Sequence, residues 1–104
     1  METDKLIEQL RKIADDIGRY VRIRRSPSAK NPEKEDADEM LSTLSERTIS
    51  LFKLYNLLDL IRPDRDKGYD KQWYEETFGK GSVSDIKDAI RALENLKSEE
   101  ENNL

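Results

Sequence analysis

The chain has 104 residues, of which 35% are hydrophobic and 40% charged, and its net charge is −4; that is enough for one domain with a thin core and a heavily charged surface. The acidic balance argues against a general polyanion binder while leaving room for a local basic patch. With no cysteine and no histidine, the chain has no disulfide framework, no thiolate metal site, and neither the commonest zinc ligand nor the commonest general base.

The apolar residues are concentrated in three stretches, which favours folding over disorder despite the polar composition. A first helix is predicted over residues 3–25. Thr3 is placed to cap it, and Leu6, Leu10, Ile13, Ile17 and Tyr20 recur at alternating spacings of four and three, a helical period. Ile7, Ala14 and Val21 widen that stripe on one side. Gly18 interrupts it at a cost of roughly 1 kcal/mol relative to Ala, which points to a kink or to close packing.

Ser26-Pro27-Ser28 opens a turn over residues 26–31, because Pro27 disfavours a helical conformation at Ser26. Asn31 as a cap and Pro32 at the first helical position then begin a second helix, predicted as continuous over residues 32–62. Its stripe is Leu41, Leu44, Thr48, Leu51, Tyr55 and Leu58. From Leu54 to Ile61 it is apolar nearly all round, interrupted only by Asn56 and Asp59, so that end needs cover from several directions. Pro63 stops it.

After the polar turn Asp64–Gly68, a short aromatic helix is expected over residues 70–78. It holds Trp73, Tyr74 and Phe78, with Tyr69 just before it, Asp70 as its cap and Gly79 as its stop. The last helix is predicted over 83–98, entered through Ser82 and Asp85, an S-x-x-D start. It carries Ile86, Ala89, Ile90, Leu93 and Leu96 on one face, and the acidic tail 99–104 is expected to fray. There is no strand pattern and no repeat. The expected fold is therefore all-α, a single domain over 1–104: a small three- to four-helix bundle built on a long antiparallel helical hairpin. No apolar run is long enough to span a membrane, and the acidic amphipathic start is unlike a secretory signal. A cytoplasmic address is the expectation.

Charge changes sign across the turn. Arg19, Arg22, Arg24, Arg25 and Lys30 precede a stretch rich in Glu and Asp. In an antiparallel hairpin the cations complement the C-terminal end of one helix dipole and the acids the N-terminal end of the next, each placement being worth roughly 0.3–1 kcal/mol. This structural reading outweighs the alternative, in which Arg19, Arg22, Arg24, Arg25 and Lys30 contact nucleic-acid phosphates; acids adjoin the patch and no aromatics are interleaved for base stacking. Ser26, flanked by Arg24, Arg25 and Pro27, also has the setting of a kinase-modified serine.

Asp64, Asp66, Asp70 and Glu75 have the spacing of positions one, three, seven and twelve of a calcium loop. Tyr69 occupies the position that requires glycine, and Arg65, Lys67 and Lys71 weaken the field, so no metal site is expected there. Gly79–Ser82 lacks the upstream glycine of a phosphate loop. No cofactor is implied and no catalytic constellation is present, so a non-enzyme is expected: a small intracellular protein-protein interaction or regulatory subunit. Its expected partner is another protein or a second copy of itself in a homodimer. The expected partner surface is a residual apolar patch of Leu57, Leu60, Trp73 and Tyr74 at the end of the second helix, since Trp and Tyr dominate interface hot spots.

Overall fold

The structure, a computed structural model, describes residues 2–78 and 82–102. Among them are five α-helices and no strand: α1 (Glu2–Arg25), α2 (Asn31–Leu54), α3 (Leu57–Ile61), α4 (Asp70–Phe78) and α5 (Ser84–Asn102). A single 3-10 turn, Lys67–Tyr69, leads into α4. The fold is all-α, a small helical bundle on an antiparallel hairpin. None of these helices is long and apolar enough to cross a membrane.

α1 is the central helix. Leu6, Ile7, Leu10, Ile13 and Ile17 are all buried, because the stripe is wide enough to meet two neighbours. α2 runs antiparallel along one side: Arg24 pairs with Asp38 at 3.4 Å near the turn, while Arg47 and Leu51 lie beside Gln9, Lys12, Ile13 and Asp16 at the other end. α5 runs antiparallel along the other side, with Lys87 and Ile90 beside Ala14 and Lys97 paired with Asp4. Among the described residues α2 and α5 nowhere come within 8 Å between Cα atoms; α3 touches both and fills the space between them. Its Leu57 and Leu58 are among the most deeply buried side chains. Thr48, also fully buried, satisfies its hydroxyl by donating to the Leu44 carbonyl at 2.7 Å.

The expected helix 32–62 is therefore two helices. Asn56 adopts the left-handed conformation, φ 53 and ψ 39, and the chain changes direction there. Asn tolerates that region better than other residues bearing a side chain. The bend is favoured because it buries Leu57 beside Leu6 and Leu93 and Leu58 beside Phe52 and Tyr74, and each fully buried leucine is worth roughly 1.5–3 kcal/mol.

Other expectations change locally. Asn31 is the first residue of α2 and Lys30 holds the cap position, with no side-chain cap. α1 begins at Glu2, so Thr3 lies within it. Gly18 is not a point of close packing: α1 is continuous through it, and a methyl group added there would meet nothing within 4 Å. α5 starts at Ser84 and is helical to Asn102, beyond the expected 98. Gly79, the expected stop of α4, lies outside the described residues, as do Asn103 and Leu104.

The register between α1 and α5 puts Ser84 about level with Gly18. Beyond that level the α1–α2 hairpin continues without α5 as a two-helix arm, consistent with overall dimensions of 53 × 31 × 18 Å.

Candidate functional site

At the end of the molecule opposite the hairpin turn, α1, α3 and α5 converge around an open hollow of about 430 Å³. Leu6, Leu57, Leu60 and Leu93 line it together with Thr3, Tyr55, Asn56, Asp59 and Leu96. The bend at Asn56 creates it, by swinging α3 across towards α5. Tyr55 and Leu96 are 43% and 41% exposed, and Leu60 is half-buried. The lining is thus mainly apolar: Leu6, Leu57 and Leu93 are buried at its floor, and the apolar surface that faces solvent belongs to Tyr55, Leu60 and Leu96.

The four residues expected to form one apolar patch are divided by the fold. Leu57 and Leu60 belong to this hollow, but Leu57 is only 1% exposed. Trp73 and Tyr74 belong to an aromatic cluster on α4 that covers α2. Phe52 meets Phe78 edge-on at 5.1 Å and Tyr74 at 6.5 Å, and Trp73 meets Phe78 at 5.6 Å. Tyr74 is 6% exposed and faces a second, more polar hollow with Lys53, Arg65 and Asp70. Burial raises the pKa of its phenol, and the carboxylate of Asp70 adds to the rise. Leu57 and Tyr74 are core residues, so the expected patch does not exist as one surface. Leu60 remains accessible, now with Tyr55 and Leu96 as its companions.

Arg65 holds this end of the molecule together. Its guanidinium donates in a two-pronged fork to Asp70, Nε to Oδ1 and Nη2 to Oδ2, both at 2.9 Å. Nη1 donates to Asp59 Oδ1 at 2.6 Å and to the Arg62 carbonyl at 3.1 Å. Such planar bidentate pairing is what a guanidinium does and an ammonium does not. The hydrogen bond from Arg65 lowers the pKa of Asp59, with Lys67 contributing. The same bonds, from Asp70 first and then Asp59, raise that of Arg65. Arg62 in turn donates from Nε and Nη2 to one oxygen of the buried Asp85, at 3.3 and 3.0 Å, tying the end of α3 to the start of α5.

Two of the four acids with calcium-loop spacing, Asp66 and Asp70, are engaged within the protein. Asp70 is engaged by Arg65 rather than capping α4, and Asp66 caps the 3-10 turn by accepting from the Gly68 amide at 2.9 Å. Asp70 and Glu75 lie on one helix, α4, so the segment is not a loop. Among the described residues no three acidic side chains converge as a cation site would require.

At the opposite end, the structure places the five basic residues around the tip of the arm. Arg24 pairs with Asp38 across the hairpin, and Arg19 reaches Asp16 at 3.4 Å and lies over the Tyr20 ring. Arg22, Arg25 and Lys30 are exposed and have no ion pair among the described residues. Ser26 Oγ lies 2.9 Å from Ser28 Oγ within the turn. The charge complementarity expected at the turn is present, but it engages one arginine of the cluster across the hairpin.

Comparison with protein-family models, with curated proteins and with solved structures returned no match for this chain. Its sequence nonetheless held a signal for the hollow. An asparagine inside an apolar run is a candidate helix end, since Asn is the commonest substitute for Gly in the left-handed position that closes a helix. Ending the helix there places Tyr55 and Leu60 on different elements. Arg65 gave no comparable signal, because its role depends on α3 and α4 meeting.

Proposed function

We propose that the chain is a non-catalytic protein-protein interaction or regulatory subunit of the cell interior, and that it docks its partner at the hollow between α1, α3 and α5. One observation carries this reading: an open, mainly apolar hollow in which Tyr55, Leu60 and Leu96 present apolar surface to solvent. Apolar surface gathered in a concavity supports binding far better than the same residues scattered singly. A catalytic role has little support there. Among the described residues the hollow contains one carboxylate, Asp59, and Arg65 and Lys67 pair with it.

The test is capture of binding proteins from lysate by the native chain, by Leu96→Glu and by Leu54→Glu. Leu54 is 72% exposed and lies outside the hollow. A protein retained by the native chain and by Leu54→Glu, but lost with Leu96→Glu, supports the hollow. Equal retention by all three refutes it.

The three unpaired cations at the arm's tip favour a second reading, weak contact with nucleic-acid phosphates. Titration with duplex DNA and with RNA at several salt concentrations addresses it, because log K falls by about 0.9 per neutralised phosphate on duplex DNA. Salt-dependent binding that disappears when Arg22, Arg25 and Lys30 are changed to Glu would move the functional site to the tip.

A further inference from the structure

The electrostatics of α5 identify the class of partner that the hollow accepts. α1 ends with Arg22, Arg24 and Arg25 in its last turn, and α2 ends with Lys53. Each places positive charge at the negative end of its dipole, as helix energetics favour. α5 does the opposite: its last turn has no basic residue, and Glu99 and Glu100 are exposed close to that end. Lys97, one turn earlier, is directed to Asp4 at 2.5 Å. Neither Glu99 nor Glu100 has an ion pair among the described residues. In a chain whose other long helices obey the rule, a departure of this kind is what functional sites produce when a requirement other than folding acts on them.

Its position makes it informative. Glu99 and Glu100 stand three and four residues beyond Leu96, the two spacings that are neighbours on a helix surface. The acidic turn therefore continues from the exposed rim of the hollow. Resting on the docking site proposed above, we infer that the occupant is an amphipathic helix of a partner protein, with leucine-like side chains on one face and lysines or arginines beside them. Its apolar face enters over Tyr55, Leu60 and Leu96, and its cations lie against Glu99 and Glu100. Helices recognised in grooves use this combination of apolar anchors and flanking charge. The cations also supply what the C-terminal end of α5 lacks.

The experiment uses the full chain and three synthetic helical peptides in fluorescence anisotropy. One peptide has a leucine face flanked by lysines, the second replaces the lysines with glutamates, and the third keeps the lysines and replaces the leucines with serines. The Leu/Lys peptide is expected to bind best, and its affinity to fall about tenfold in Leu96→Ser, a loss typical of an interface anchor. The double variant Glu99→Lys, Glu100→Lys is expected to reverse the preference towards the Leu/Glu peptide. Both variants change exposed side chains, and circular dichroism checks that they fold. An undiminished affinity in Leu96→Ser would overturn the docking site itself. A tenfold loss there, with no change of preference in the charge-reversed variant, would leave the hollow standing and sink the basic partner. Self-association in sedimentation that Leu96→Ser abolishes, without binding of any peptide, would assign the hollow to a second copy of the chain and overturn the inference.

Discussion

At its start α2 emerges from the turn with local means. Pro32 suits the first turn, Glu33 complements the dipole, and Arg24 reaches across to Asp38. At its far end the apolar run would continue the helix and only Asn56 offers a local reason to stop. The chain bends there, and Leu57 is buried beside Leu6 and Leu93 while Leu58 is buried beside Phe52 and Tyr74. The first end is held by charges that solvent and salt screen. The second is held by packing and by a partly enclosed guanidinium. The difference shows why the arm is a surface feature of this molecule, whereas the bend determines its shape and creates the hollow.

The contrast is broken most directly at Phe52, which is fully buried between α2 and α4. Phe52→Ala is expected to cost about 3–5 kcal/mol in urea unfolding. A loss below about 1 kcal/mol would mean that the aromatic cluster is not the cover of α2. Next comes Arg65→Met, which should leave the core intact and loosen α4, read as lost hydrogen-exchange protection over residues 70–78. Its pH dependence has a defined sign. The folded-state pKa of Asp59 is depressed below the ordinary 3.8, mainly by the hydrogen bond from Arg65. That contribution is fully present above the unfolded value and is lost as pH falls through the lower folded one. The gap in urea midpoint between native and Arg65→Met chains should therefore be constant near neutrality and close in acid, below about pH 4. A gap that widened on acidification would contradict the assignment.

Asn56 gives a test by sign. In a left-handed position Asn56→Ala should destabilise by about 1 kcal/mol, and Asn56→Gly should be neutral or stabilising. Were α2 and α3 one straight helix, alanine would be the better residue and the two effects would exchange. The smallest effect is expected at the other end. Arg22, Arg24 and Arg25 changed together to Glu should lower the melting temperature modestly at low salt, with the loss fading by 1 M, where the screening length is about 3 Å. Melting curves that coincide at low salt would show that the charges at the turn add nothing to the hairpin.

Elements defined by their own residues were legible in the sequence. The stripe Leu6, Leu10, Ile13, Ile17 lies buried on α1 as its period implied, and the aromatic helix spans Asp70–Phe78 as expected. Features that depend on what two elements do when they meet were not. Leu57 and Tyr74 were expected at a surface because one short helix seemed too little to cover the end of α2. The bend resolves that shortage by turning the excess apolar residues inward as α3, and no count of apolar residues along a straight helix anticipates it. Leu96 belongs to the apolar face expected of the last helix, yet it is 41% exposed. It lies level with the first turns of α1, where Lys97 pairs with Asp4, and it stays open because it borders the hollow between α1, α3 and α5.

The central place of α1 has a consequence for how the chain is made. Its two flanks are covered by segments that leave the ribosome at different times. α2 follows immediately, and helical hairpins of this size close far faster than the chain lengthens. α5 begins at Ser84, 59 residues after α1 ends at Arg25, which is about 3–12 s at typical rates of synthesis. Throughout that interval the Ile7 and Ala14 side of a finished hairpin is bare. The nascent chain therefore presents an apolar stripe that the mature protein hides, and any factor that recognises the unfinished form must release it when α5 docks.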